Sequence, residues 1–189
     1  MARNLPSDQC DYIYTVGVSC AGIRRDVADH VAVNLRPRTV FDLGCGSVCY
    51  GQQLKLRDPS IKVVGADGWL EYLASAHCIR YYDAVIRVQI EDVVAGLVVV
   101  PADLVLFMDV LEHFERPEGE RVLTFIETAY PRAILSTPLF DFPQGAVDGN
   151  ELERHRSVWT EQELLQRGWR LLATERWKEE GNVGAFIHG

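Results

Sequence analysis

Short apolar runs rich in β-branched residues recur along the chain at 39–43 (TVFDL), 61–66 (IKVVGA), 83–89 (DAVIRVQ), 103–108 (DLVLFM) and 132–137 (RAILST). Between them the apolar positions take helical spacing, which predicts helices over 50–58, 68–77, 91–97 and 117–130. Pro59 and Pro131 supply stop signals, and Pro117 stands where a first helical turn tolerates proline. A helix over 15–35 precedes the first run, and another over 160–168, with Thr160 as N-cap, follows the last. Two further runs, 169–178 and 182–189, are joined by Glu179-Glu180-Gly181, short enough for a hairpin. Strand–helix alternation at this spacing means an α/β protein: a parallel sheet with helices on both faces. Five parallel strands plus a C-terminal hairpin make seven, one of them antiparallel.

Composition narrows the class. The 189 residues fit a single domain over 1–189, with 1–37 as an N-terminal cap and helix and 141–159 as a long polar loop. Hydrophobic residues make up 48% and charged residues 24%, as in globular proteins. The longest apolar stretch, 93–102, holds a proline and is too short to span a bilayer. The N-terminus lacks the residue order of a signal peptide, so a cytoplasmic protein with no membrane partner is expected. A net charge of −8 disfavours nucleic acid as a partner. The five cysteines (10, 20, 45, 49, 78) contain no CxxC and are expected as reduced thiols. Neither a Tyr-x-x-x-Lys nor a GxxxxGK[ST] occurs, which speaks against a short-chain dehydrogenase and a phosphate-loop NTPase.

The stretch VFDLGCGSVCYG (40–51) carries the first candidate chemistry. Gly44 and Gly46 directly follow the first strand, where ligands bind beyond the carboxyl ends of an open α/β sheet. Glycine permits positive φ and lets a ligand approach the backbone, while loop and helix amides favour an anionic group. The other reading is a strand-to-helix turn that needs glycine for geometry alone. Asp67, at the end of the second strand, either meets a ribose hydroxyl pair or caps the next helix.

Together these residues resemble the class I S-adenosylmethionine-dependent methyltransferases. The matching pieces are DLGCG (42–46), the acid Asp67, DLVLFMDVLEHF (103–114), the strand ending in Ser136-Thr137-Pro138, and the terminal hairpin. The resemblance implies a seven-stranded Rossmann-like sheet and S-adenosylmethionine as cofactor, with S-adenosylhomocysteine as product. It places Gly44, Cys45 and Gly46 around the methionine part, Asp42 near its amino group, and Asp67 with Gly68 at the ribose. Gln89, Ile90 and Glu91 fall around the adenine, and Met108 and Asp109 under the sulfonium. Val48 stands where a third glycine is common and narrows the loop.

Asp109, Glu112 and His113 have i, i+3, i+4 spacing, which sets them near one face of a helix after strand four. Such a group serves as metal ligands, as a carboxylate–histidine base, or as a cap and polar surface; no metal is assigned. His113 and His155, with Asp109, are the candidates for base chemistry if the acceptor must lose a proton. The loop 141–159 is placed as a substrate lid, with Thr137, His155 and Trp159 toward the acceptor; the other reading is a surface loop whose tryptophan plugs the core. The expected activity is O- or N-methylation of a small molecule, with a homodimer left open. The alternatives are a non-catalytic cofactor-binding partner subunit and a nicotinamide-type oxidoreductase.

Overall fold

The structure is a computed structural model that describes residues 20–46, 49–74 and 80–189, with only the backbone of Cys49. The expected effect of Val48, positions 15–19 of the first helix and positions 75–77 of the third lie outside these residues. In chain order the elements are α1 (Ala21–His30), β1 (Thr39–Leu43), α2 (Cys49–Arg57), β2 (Lys62–Asp67), α3 (Leu70–Leu73), β3 (Ala84–Arg87) and α4 (Ile90–Val94). Then follow β4 (Leu104–Met108), α5 (Arg116–Ala129), β5 (Ala133–Pro138), α6 (Glu161–Gln166), β6 (Arg170–Trp177) and β7 (Gly181–His188).

The sheet order is β3-β2-β1-β4-β5-β7-β6. The first five strands pair in parallel, while β7 runs antiparallel to both β5 and β6, as the hairpin requires. Side-chain alternation divides the core into two layers. Val40, Leu104 and Leu106 join Ile23, Val27 and Leu54 on one face; Phe41, Val105 and Phe107 join Val122, Leu123 and Ile126 on the other. Strands this apolar on both faces need helices on both sides.

Element ends differ from expectation for local reasons. The first helix gives way to a wider turn at Val31–Leu35 and stops at Arg36, whose φ is 46. The chain after β4 forms only a tight turn at Leu111–His113, and α5 starts at Arg116 with Pro117 in its first turn. Asp109, Glu112 and His113 therefore do not share a helix face. Thr160 caps α6 as expected, in a reciprocal capping box with Glu163.

Strand order reverses between β1 and β4, which opens a crevice at their carboxyl ends. The candidate residues converge there.

Candidate active site

Gly44 leaves β1 at φ +82, and a Cβ built on it would lie 2.6 Å from Val110 Cγ2. Gly46 sits at φ +51 and its Cβ would meet nothing within 4 Å, so that stretch of backbone faces open space. The turn is pinned to β2: the amides of Gly44 and Cys45 donate to the Ala66 carbonyl at 2.8 and 2.9 Å. The Gly46 amide donates to Asp67 Oδ2 at 2.9 Å, and the Trp69 amide donates to Oδ1 at 2.8 Å. Asp67 thus ties the glycine turn to the β2–α3 turn, and α3 begins at Leu70 without a side-chain cap. Burial pushes its carboxyl above the usual range, against the pull of those amides.

Asp42 is buried at the end of β1, and Tyr82 donates its hydroxyl to Asp42 Oδ2 at 2.5 Å. The Tyr82 ring occupies space that only glycine leaves: a Cβ at Gly51 would lie 2.4 Å from it, and one at Gly65 2.7 Å. Gly51 is therefore a packing glycine rather than part of the cradle. Sequence reading missed Tyr82, because its partners come from 31 and 40 positions earlier and no local pattern marks it.

One cavity of about 400 Å³, within the range of small-ligand pockets, connects these parts. Among its lining are Asp42, Gly44, Cys45, Gly46, Asp67, Gly68, Gln89, Ile90, Glu91, Met108, Asp109, His113 and His155. These residues and Glu112, all singled out from sequence, thus meet at one place. The Gln89 amide packs against Gly68, where a Cβ would lie 2.7 Å from Gln89 Oε1. Cys20 also reaches the cavity, and burial pushes its thiol up to about 12, which leaves it unreactive at neutral pH.

Two expectations are corrected. Trp159 is fully buried in the core rather than facing the acceptor: it packs on Gly119, its indole donates to Ser157, and the Arg116 guanidinium lies 3.6 Å from its ring centroid. The segment around it forms no helix, and His155 lines the cavity while Trp159 does not. Thr137 is also fully buried, and its hydroxyl donates to Glu112 Oε2 at 3.0 Å. It supports a pocket residue and does not line the cavity.

At the end of β4, Asp109 takes φ 54 and accepts from the Ser136 hydroxyl at 2.7 Å. The tight turn then drives Glu112 inward, where burial, with Asp109 adding to it, raises its carboxyl well above the ordinary range. His113 turns toward the loop 141–159 and stands 5.0 Å from His155, ring centroid to centroid, edge to face. Burial lowers both imidazoles to about 4, His113 adding to the shift at His155, so both are uncharged at neutral pH.

The loop is pinned over both halves of the cavity. The amides of Arg156 and Ser157 donate to the Glu112 carbonyl, and the Gln144 amide group donates to the Glu153 carbonyl at 2.7 Å. On the cofactor-side rim Tyr72 donates to Glu153 Oε1 at 2.9 Å, and Leu152 crowds Gly68. The loop therefore covers the Asp67 end as well as the acceptor end, which its sequence alone did not indicate.

No family model matches the sequence, and comparison with curated proteins finds no match. Solved structures do match. An O-methyltransferase family protein from Burkholderia thailandensis shares 15% identity at a TM-score of 0.60, over 89% of this chain and 56% of its own. The bifunctional kinase-methyltransferase WbdD shares 17% at 0.67, over 92% of this chain and 40% of its own, so this chain spans roughly half or less of either protein. Magnesium protoporphyrin IX methyltransferase from Synechocystis PCC 6803, solved with bound S-adenosylmethionine, shares 16% at 0.58, over 96% and 90%. The fold is that of the class I S-adenosylmethionine-dependent methyltransferases.

Proposed function

We infer that the chain is an enzyme that binds S-adenosylmethionine and methylates a small molecule, with a hydroxyl as the favoured acceptor. The observation that carries this reading is the single cavity that joins the Gly44–Gly46 turn and Asp67 to the two imidazoles, past Met108 and Asp109. The cradle fits the cofactor. Gly46 leaves its approach open, and the amides of Gly46, Trp69 and Gly68 hold the Asp67 carboxylate at the cavity, where it can accept from a ribose hydroxyl. When bound, the sulfonium supplies an activated methyl: its S–C bond breaks as the acceptor's O–C bond forms, leaving S-adenosylhomocysteine and one proton.

The chain's own residues then have little covalent work and much positioning to do. Asp67 and the glycine backbone orient the cofactor, and the pinned loop 141–159 keeps water from the reacting centre. His113 and His155, uncharged and with lone pairs available, suit a hydroxyl that must lose its proton. The acidic chain and the loop-covered cavity of about 400 Å³ favour a small acceptor over nucleic acid.

A melt series with S-adenosylmethionine, S-adenosylhomocysteine, NAD and no ligand tests the reading. Saturation at a hundredfold over Kd adds about 2.7 kcal/mol, a rise of roughly 5–10 °C for a chain of this size. A rise with NAD alone would instead support an oxidoreductase. Asp67→Ala should weaken S-adenosylhomocysteine by about 5–150-fold, measured by calorimetric titration, because it removes both the ligand contact and the tie to Gly46. Unchanged affinity would reduce Asp67 to a loop fastener.

A further inference from the structure

We propose that Glu112, His113 and His155 form a site for a divalent first-row transition ion on the acceptor side of the cavity. Each residue offers one ligand atom, and the three atoms all lie within 4.8 Å of one another. Donors around such an ion stand at most about 4 Å apart, so side-chain adjustments of about an ångström close the site.

The surroundings prepare these donors. His155 Nδ1 lies 2.7 Å from the Phe142 carbonyl oxygen, and His113 Nδ1 lies 3.3 Å from that of Arg154. With Nδ1 protonated and donating to these carbonyls, each ring is fixed in orientation and keeps its Nε2 lone pair for a ligand. That carbonyl support is what metal-binding imidazoles use. Glu112 is 3% exposed and is steadied by the Thr137 hydroxyl, yet among the described residues it makes no ion pair. Arg156 passes close by, but its guanidinium donates to the carbonyls of His113, Arg154 and Glu151. A carboxylate buried without a cation is costly, and a bound divalent ion removes that cost.

The donor set selects the ion. Two imidazoles and one carboxylate favour Zn²⁺, Fe²⁺, Co²⁺ or Ni²⁺ over Mg²⁺ and Ca²⁺, which take oxygen ligands. Three protein ligands leave coordination positions for an acceptor oxygen. The ion's role there rests on the methyl-transfer reading: it would hold the hydroxyl oxygen and lower its pKa, so that the proton leaves to solvent before the O–C bond forms. It would also fasten the loop carrying His155 to the β4–α5 turn.

The test is a Co²⁺ titration of the full chain after chelator treatment, followed by visible absorption, without cofactor. One Co²⁺ per chain is expected to give a d–d band that excess Mg²⁺ does not displace. Glu112→Gln, an isostere that keeps the Thr137 bond, and His155→Ala should each weaken Co²⁺ by at least about 100-fold. The absence of a band, or a band unchanged in both variants because cysteines hold the ion, would overturn the site. Thermal shifts with S-adenosylhomocysteine on the same samples confirm folding and keep the readings separate. A shift without Co²⁺ binding would sustain methyl transfer with the imidazoles as bases and reject the metal site.

Discussion

Gly44→Ala is expected to lose about 2–5 kcal/mol of stability and with it the response to S-adenosylhomocysteine. Two costs add. A non-glycine residue at φ +82 costs about 1–2 kcal/mol. The new Cβ, 2.6 Å from Val110 Cγ2, adds an overpacking cost of about 1–3 kcal/mol. The strain falls on the turn whose amides reach Ala66 and Asp67, so the cradle distorts before the sheet does. Chemical denaturation measures the loss, and adding Val110→Ala should recover the steric part but not the backbone part. Gly46→Ala is the informative contrast. Its Cβ meets nothing, so stability should fall by only about 1–2 kcal/mol, while the methyl stands in the cavity and weakens the ligand. Equal effects of the two variants on binding and stability would mean that the turn is structural only.

Trp159→Ala should cost about 3–5 kcal/mol, the range for truncating a fully buried tryptophan. The indole fills the space beside Gly119 and Leu111 and lies under the Arg116 guanidinium, which also donates to the Val158 carbonyl and pairs with Glu163. Its removal opens a cavity between α5 and the start of α6. Affinity for S-adenosylhomocysteine should change little in the protein that remains folded, because no part of Trp159 lines the pocket. Urea unfolding and calorimetric titration on the same preparation separate these effects. A stable variant with lost acceptor turnover would return Trp159 to the substrate side.

These two positions mark the limits of a linear reading. Gly44 was legible because a strand, an acid and a GxG turn are neighbours in sequence, and their geometry follows from local backbone rules. Trp159 was not, because nothing local in the loop 141–159 sets its direction. That was decided by backbone bonds from Arg156 and Ser157 to Glu112, more than forty residues away. The DVLEH run failed in a similar way. Its i, i+3, i+4 spacing implied one helix face, but Asp109 at φ 54 and the short turn after it sent Glu112 into the core and His113 toward the loop.

The sequence by itself determined the seven strands, the hairpin that reverses β7, and the candidate residues from Asp42 to His155 that line the cavity. The strands and the hairpin rest on periodicity and turn chemistry, which are properties of neighbouring residues, and most of the cavity residues on the family resemblance that the short motifs carry. Only the tertiary structure decided that Gly51 and Gly65 make room for Tyr82, that Thr137 and Trp159 stand behind the pocket, and that His155 meets Glu112 and His113. Each of those is a contact between distant segments, set by how side-chain volumes and buried hydrogen-bonding groups are satisfied once the sheet has formed.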